Sequence, residues 1–281
     1  IVSSNIGGTA TLIGDPPNIM IGSAANFGFM DFIINAAPAV VIIMIAILIV
    51  LKFMYGKKLK VDDTKKSALM KLDEKKSIKD LALMKKSIIV IILVIIGFAS
   101  HMLESSVVAL IGAVVMLLIG NQNVDEILVD VEWSSIFFFI GLFVVVGGIE
   151  DVGIIKIIAQ GLITFTNGNV LLTMLLMLWV SAIVSSIFNN IPFIATMIPL
   201  IITLQAHGMD VTPIWWATAL GVCLGGNGTL VGASANVVLA GISNRYGYPI
   251  TFKRYLKFGF PVMILSVVIS TIYLLVKFII L

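Results

Sequence analysis

The segment SNIGGTATLIGDPPNIMIG, residues 4–22, interrupts an otherwise apolar stretch with four glycines, two adjacent prolines, two asparagines and one aspartate. Glycine lets the backbone leave helical geometry, and proline removes a backbone donor and stops a helix. The segment therefore predicts a helix that opens and then restarts.

The surrounding composition predicts that this break lies inside a membrane. The chain of 281 residues is 59% hydrophobic and 12% charged, with a mean hydropathy of +1.13, well beyond the composition of soluble domains. Apolar segments of spanning or nearly spanning length cover residues 36–54, 87–103, 105–120, 134–149, 169–187, 213–231 and 258–281. Backbone that leaves the helix at membrane depth must line a cavity or be buried in protein. We therefore expect an all-α polytopic membrane protein with a polar cavity.

The distribution of basic residues indicates the orientation of the chain. Residues 57–86 carry eleven lysines and five acidic residues, a net charge of +6, and residues 243–257 carry four basic residues and no acidic one. Lysine and arginine mark cytoplasmic loops, so both regions are expected inside. Residues 23–35 contain one aspartate and no lysine or arginine, and they are expected outside.

The opening segment has a second copy. NIGGTATLIGDPPN, residues 5–18, aligns without gaps at an offset of 218 with CLGGNGTLVGASAN, residues 223–236, and six of the fourteen positions are identical. Since the first copy leads outside and the second leads inside, the two are predicted to cross the bilayer in opposite directions. Inverted repeats of this kind are typical of alternating-access transporters.

A third polar interruption is SSIFNNIP, residues 185–192, which predicts the tip of a re-entrant hairpin near residues 185–204. Asn189 and Asn190 offer amide oxygens there, and Ser185 is expected on the same helix face as Asn189 because it lies one turn earlier.

The candidate substrate- and ion-binding residues combine freed backbone groups with hydroxyl, amide and carboxylate side chains, which suit a hard cation such as sodium. They are Asn5, Gly7, Gly8, Thr9, Thr11, Gly14, Asp15, Asn18, Ser185, Asn189, Asn190, Gly225, Gly226, Asn227, Thr229, Gly232, Ser234 and Asn236. A sodium site is expected near Asp15, Asn189 and Asn190, since a carboxylate within a membrane marks a functional site. The second copy has Ala233 in place of Asp15, so the halves are expected to differ chemically. The alternative is that the glycines only pack helices closely and the asparagines only cross-link them.

The single cysteine, Cys223, excludes an internal disulfide within the chain and is interpreted as a small buried hydrophobe.

The three polar segments, at residues 4–22, 185–192 and 223–236, resemble the signature segments of the ion transporter superfamily. The resemblance is to the branch that holds the melanosomal P protein and the ArsB-like arsenical pump membrane proteins, often described as citrate-transporter-like domains. The resemblance implies two inverted repeats, each with a re-entrant hairpin and a broken helix, an elevator-like movement and a homodimer. It also implies that Ser185, Asn189 and Asn190 at the hairpin tip hold ion and substrate. The tip here reads FNNIP rather than a serine-asparagine-threonine triplet, and GDPPN adds an acidic residue, so dicarboxylate specificity does not carry over.

The expected organisation follows from the repeat. Residues 1–54 form the end of the first repeat, 55–86 a cytoplasmic basic loop, and 87–281 the second repeat, with its hairpin near 185–204, its broken helix near 213–242 and its final helix at 258–281. Because the chain begins at Ile1 without an initiator methionine, it is expected to be a fragment, and the resemblance implies the C-terminal two-thirds of a family member.

These patterns favour a secondary active transporter in the plasma (inner) membrane that moves a small ion, expected to be an anion, with sodium or proton coupling. No other cofactor and no nucleic acid are expected. The runner-up is an NhaD-type sodium/proton antiporter with Asp15 as the exchanging carboxylate. An intramembrane aspartyl protease is a remote alternative, because that chemistry needs two carboxylates and the repeat supplies Ala233 instead of a second one. GGNGTLVGAS lacks the lysine of a phosphate-binding loop, so no ATPase or other enzyme is expected.

Overall fold

The computed structural model describes residues 1–56, 63–70, 78, 80–100, 102–120, 123–129, 131 and 133–280. These residues form helices and their connections, with no strand among them. The helices are α1 (Val2–Gly8), α2 (Pro16–Ala25), α3 (Phe29–Asn35), α4 (Ala37–Tyr55), α5 (Asp63–Met70), α6 (Leu81–Ser100), α7 (Ser105–Gly120), α8 (Val124–Val129), α9 (Trp133–Asp151), α10 (Ile154–Thr166), α11 (Val170–Ile187), α12 (Asn190–Ala206), α13 (Thr212–Gly225), α14 (Ser234–Arg245) and α15 (Phe252–Leu275), which continues as a π-helix over Val276–Ile280.

Four described helices are long and apolar enough to cross a membrane: α4, α6, α11 and α15 with its π-helical end. The pair Ile136–Asp151 and Ile154–Thr166 adds a fifth if its two parts, bent by 67°, are counted as one span. Gly153 lies in the bend with a φ of +80°, a conformation that glycine adopts without strain. The predicted all-α polytopic architecture is thus confirmed.

Two of these helices begin earlier than the sequence predicts. α6 starts at Leu81 because the Asp80 carboxylate accepts hydrogen bonds from the backbone N–H groups of Ala82 and Leu83, each 2.9 Å long. The basic loop predicted over 55–86 therefore ends before Leu81. Residues 57–62, 71–77 and 79 of this predicted loop lie outside the described residues. α15 starts at Phe252 rather than 258.

The chain divides into two compact units. Unit 1 comprises Ile1–Phe27, Asp31–Ile45 and Ser134–Leu281, and unit 2 comprises Gly28–Met30 and Ala46–Trp133. Both copies of the repeated segment and the SSIFNNIP interruption belong to unit 1. In unit 2, α6 packs on α7 through glycine, since a Cβ at Gly112 would overlap the Val94 side chain.

The centre of unit 1 is α13, in which every residue from Pro213 to Gly225 is buried. It packs closely along α11 through two of its glycines. A Cβ at Gly221 would lie 2.5 Å from the Leu178 carbonyl oxygen, and a Cβ at Gly225 would lie 2.5 Å from that of Ala182. Because no larger residue fits, this contact fixes the end of α11 against the end of α13.

Candidate functional site

Both copies of the repeated segment are helices that break and restart at equivalent positions. α1 ends at Gly8 and α2 begins at Pro16, and we term residues 9–15 loop 1. α13 ends at Gly225 and α14 begins at Ser234, and we term residues 226–233 loop 2. The last residues of the two loops have nearly identical backbone angles. Asp15 has φ −145° and ψ 137°, and Ala233 has φ −144° and ψ 146°.

Asn18 holds the carbonyl groups that loop 1 leaves without helical partners. Its Nδ2 donates to the carbonyl oxygens of Gly8 and Thr9, both at 3.3 Å, and of Thr11 at 3.0 Å. Asn18 is fully buried, where an unpaired carbonyl would be costly. The asparagine therefore acts as a brace inside the break.

Asn236, the repeat counterpart of Asn18, makes the equivalent bonds in loop 2. Its Nδ2 donates to the carbonyl oxygens of Gly226 at 2.7 Å and Thr229 at 2.9 Å. These two residues are the counterparts of Gly8 and Thr11. The sequence repeat is thus a repeat of hydrogen bonds.

Close backbone approach across each loop explains the repeated glycines. A Cβ added to Gly14 would overlap the carbonyl oxygen of Gly8. In loop 2, a Cβ at Gly232 would lie 2.9 Å from the carbonyl oxygen of Gly226. Each loop therefore requires glycine at this position, 14 or 232, to fold back on itself.

The two repeats contact each other through reciprocal side-chain bonds. Asn5 donates from Nδ2 to Oδ1 of Asn236 at 2.9 Å and to Oδ1 of Asn227 at 3.0 Å. The Cys223 thiol, at the position equivalent to Asn5, donates to Oδ1 of Asn18 at 3.3 Å. The start of each segment therefore meets the end of the other, so the segments run antiparallel where they touch. Two oppositely inserted copies that meet side by side would run antiparallel in this way.

Asp15 and Asn190 join loop 1 to the start of α12. Asn190 is 3% exposed, and its Nδ2 lies 3.4 and 3.5 Å from the two carboxylate oxygens of Asp15, which is itself partly exposed. Asp15 also precedes the first turn of α2, whose amide end favours negative charge. The pair places a partly exposed carboxylate beside one neutral amide.

Two serines at the end of α11 hold loop 2 and its preceding helix. The Ser185 hydroxyl donates to the Val222 carbonyl at 2.7 Å, and the Ser186 carbonyl accepts from the Thr229 hydroxyl. The SSIFNNIP interruption thus contacts α13 and loop 2 through its serines and loop 1 through Asn190.

The predicted common face of Ser185 and Asn189 is wrong. α11 ends at Ile187, and Phe188 is extended with φ −102° and ψ 151°, so helical spacing does not continue to Asn189. Ser185 is fully buried, whereas Asn189 is exposed and caps α12 by accepting from the Ile191 N–H at 3.2 Å.

The structure thus gathers most of the predicted residues at the two loops and the end of α11. Four of them, Gly7, Gly14, Asn189 and Ser234, have exposed surfaces. The ion-binding role of each residue stays a prediction. Cys223 was missed, although its alignment with the polar Asn5 was a signal that its thiol has a polar partner.

The donor set fits a hard cation better than a transition metal. Among the described residues, no three His, Cys, Asp or Glu side chains form a metal-ligating group. The Asp15 carboxylate is an oxygen ligand of the kind that hard cations favour, and sodium binding beside it stays a prediction. The predicted third contributor, Asn189, already has its amide oxygen bonded to the start of α12.

The chain is similar in sequence to a family of transporters. Residues 1–221 match the CitMHS family, described as citrate transporter. An uncharacterized transporter of Mycobacterium bovis is 40% identical over 287 residues, which cover 100% of the chain and 67% of that protein. The 46 kDa membrane protein of Mycobacterium leprae is 38% identical over 286 residues, with the same coverage. The P protein of Sus scrofa is 36% identical over 223 residues, which cover 74% of the chain and 26% of that protein.

Proposed function

Because the chain belongs to the citrate transporter family, and is therefore a membrane transporter rather than an enzyme, we propose that the whole protein is a secondary active transporter of a small anion. Sodium or protons drive the uptake. The contact between Asp15 and Asn190 is the observation that carries this proposal. Asp15 is the one carboxylate of the three polar segments, and this contact places it where loop 1 of the first repeat meets α12 of the second.

The two loops differ in the charge that they suit. Pro16 and Pro17 open α2 and have no N–H groups, so this helix start offers fewer amides to an anion, and Asp15 adds a negative charge. Loop 1 therefore suits the coupling cation or proton.

Loop 2 suits an anion. Ser234 and Ala235 open α14 and keep their N–H groups at the positive end of the helix. Asn227 is fully buried, and its Nδ2 has no hydrogen-bond partner among the described residues, which leaves a donor for an oxyanion. No lysine or arginine lies in the three polar segments, so a co-bound cation at loop 1 would balance the anion charge.

The placement of both loops in unit 1 supports an elevator-like cycle. In this proposal unit 1 carries both sites across the membrane together. We further propose that the protein is a homodimer in the plasma membrane, which light scattering of the detergent-solubilised protein would test. The basic loop is proposed to lie in the cytoplasm, and protease protection of the loop would test its side of the membrane.

Uptake into proteoliposomes tests the function directly. The full-length protein would be reconstituted and given arsenite, a dicarboxylate or phosphate under imposed sodium or proton gradients. The proposal expects uptake of one of these anions that requires one of the gradients. Uptake that proceeds equally with neither gradient would overturn the coupling.

The second candidate is an NhaD-type sodium/proton antiporter. It is favoured by the partial exposure of Asp15, which leaves its carboxylate able to exchange a proton for sodium. In the same vesicles, sodium-driven proton movement without any anion substrate would support this alternative.

A further inference from the structure

Asn5 and Cys223 occupy the same position in the two repeats, and each donates a hydrogen bond to the asparagine that follows the loop of the other repeat. Both are buried, with 6% and 1% of their surface exposed. Asn5 donates to Oδ1 of Asn236, and Cys223 donates to Oδ1 of Asn18. Each therefore contacts the asparagine that braces the loop of the other repeat.

The contact from Cys223 fixes which way the Asn18 amide points. With Oδ1 held by the thiol, Nδ2 faces the carbonyl oxygens of loop 1. Without that donor, Oδ1 would be a buried acceptor lacking its partner, and the amide would lose one of the contacts that orient it. Cys223, on α13, thus shapes the loop that carries the cation ligand.

The geometry points to Cys223 and Asn5 as reciprocal positioning residues that join loop 1 and loop 2 into one body throughout the transport cycle. This inference rests on the proposed transport function, in which loop 1 holds the cation and loop 2 the anion. The joined loops present both sites to the same side of the membrane at the same time.

The thiol itself reports whether the loops stay joined. In the full-length protein, with any cysteine outside residues 1–281 replaced by serine, Cys223 would be treated with the membrane-permeant reagent N-ethylmaleimide at rest and during turnover. The inference expects Cys223 to stay unlabelled in both states and to react fully after denaturation in detergent. A labelling rate that rises at least about tenfold during turnover would show that the loops separate, and would overturn it.

Substitutions test the positioning role through ion affinity. Cys223→Ser keeps a donor and is expected to keep the half-saturating concentration of the coupling ion. Cys223→Ala removes the donor and is expected to raise that concentration by about tenfold, with a smaller change in maximal rate. Thr218→Val is the matched control, because Thr218 is also buried on α13 and its hydroxyl donates to the Ile214 carbonyl of the same helix.

Equal ion affinities for Cys223→Ala and Cys223→Ser would overturn the positioning role. If wild-type uptake needs neither gradient, the proposed function fails, whereas labelling of Cys223 still decides whether the loops remain joined. The two failures are therefore distinguishable.

Discussion

The side-chain nitrogen of Asn190 lies 3.4 Å from the Asp15 carboxylate, although 175 positions separate the two residues in the chain. One residue ends loop 1 and the other begins α12. A carboxylate near the starts of two helices is stabilised by their dipoles, and it still attracts a cation because only a neutral amide faces it. The contact joins the first repeat to an element of the second.

Replacement of the Asp15 carboxylate should strongly weaken binding of the coupling ion. Asp15→Asn keeps the size of the side chain and removes its charge, so the apparent affinity for sodium or protons should fall by about 10- to 100-fold. Ion-dependent uptake in proteoliposomes measures this change. Asp210→Asn is the control, because Asp210 is an exposed carboxylate that caps the Thr212 N–H. Equal effects of the two substitutions would remove Asp15 from the ion site.

The two adjacent asparagines should behave differently. Asn190→Ala removes the buried amide that faces Asp15 and should weaken apparent ion affinity by about tenfold. Asn189→Ser keeps a side-chain acceptor for the Ile191 N–H and should leave uptake within about twofold of wild type. Titration of uptake against the coupling ion distinguishes them. The reverse order of effects would contradict the geometry.

The sequence repeat predicted both breaks because glycine and proline act on the local backbone. It also paired Asn18 with Asn236, whose equivalent bonds the structure shows. The relation of Ser185 to Asn189 was not predictable in this way, since it depends on where α11 ends. The contact of Cys223 with Asn18 depends on how the two repeats pack, which neither segment encodes alone.

The bracing asparagines should be needed for stability in both repeats. Asn18→Ala or Asn236→Ala leaves buried carbonyl oxygens of a loop without their donor, and each should lower the free energy of unfolding by about 1–3 kcal/mol. Thermal unfolding in detergent measures the loss. Asn244→Ala is the control on α14, because Asn244 is exposed. Unchanged unfolding temperatures for both variants would show that the loops do not need these braces.

The packing of α13 on α11 should tolerate no added methyl group. Gly225→Ala would place Cβ 2.5 Å from the Ala182 carbonyl oxygen, and the required shift should destabilise the protein by about 1–3 kcal/mol. Gly161→Ala on α10 meets no heavy atom within 4 Å and should be neutral or slightly stabilising. Comparison of their unfolding temperatures tests the contact. A stable Gly225→Ala protein would mean that the two helices are further apart.

The antiparallel meeting of two broken helices is tested most directly by the side of the membrane to which each one leads. In the full-length protein with Cys223→Ser and no other cysteine, Ala24→Cys near the end of α2 and Asn244→Cys near the end of α14 would each be treated with a membrane-impermeant thiol reagent. Both positions are exposed. We expect Ala24→Cys to react only from outside the cell and Asn244→Cys only from the cytoplasmic side, whereas labelling of both from the same side would contradict the inverted repeat.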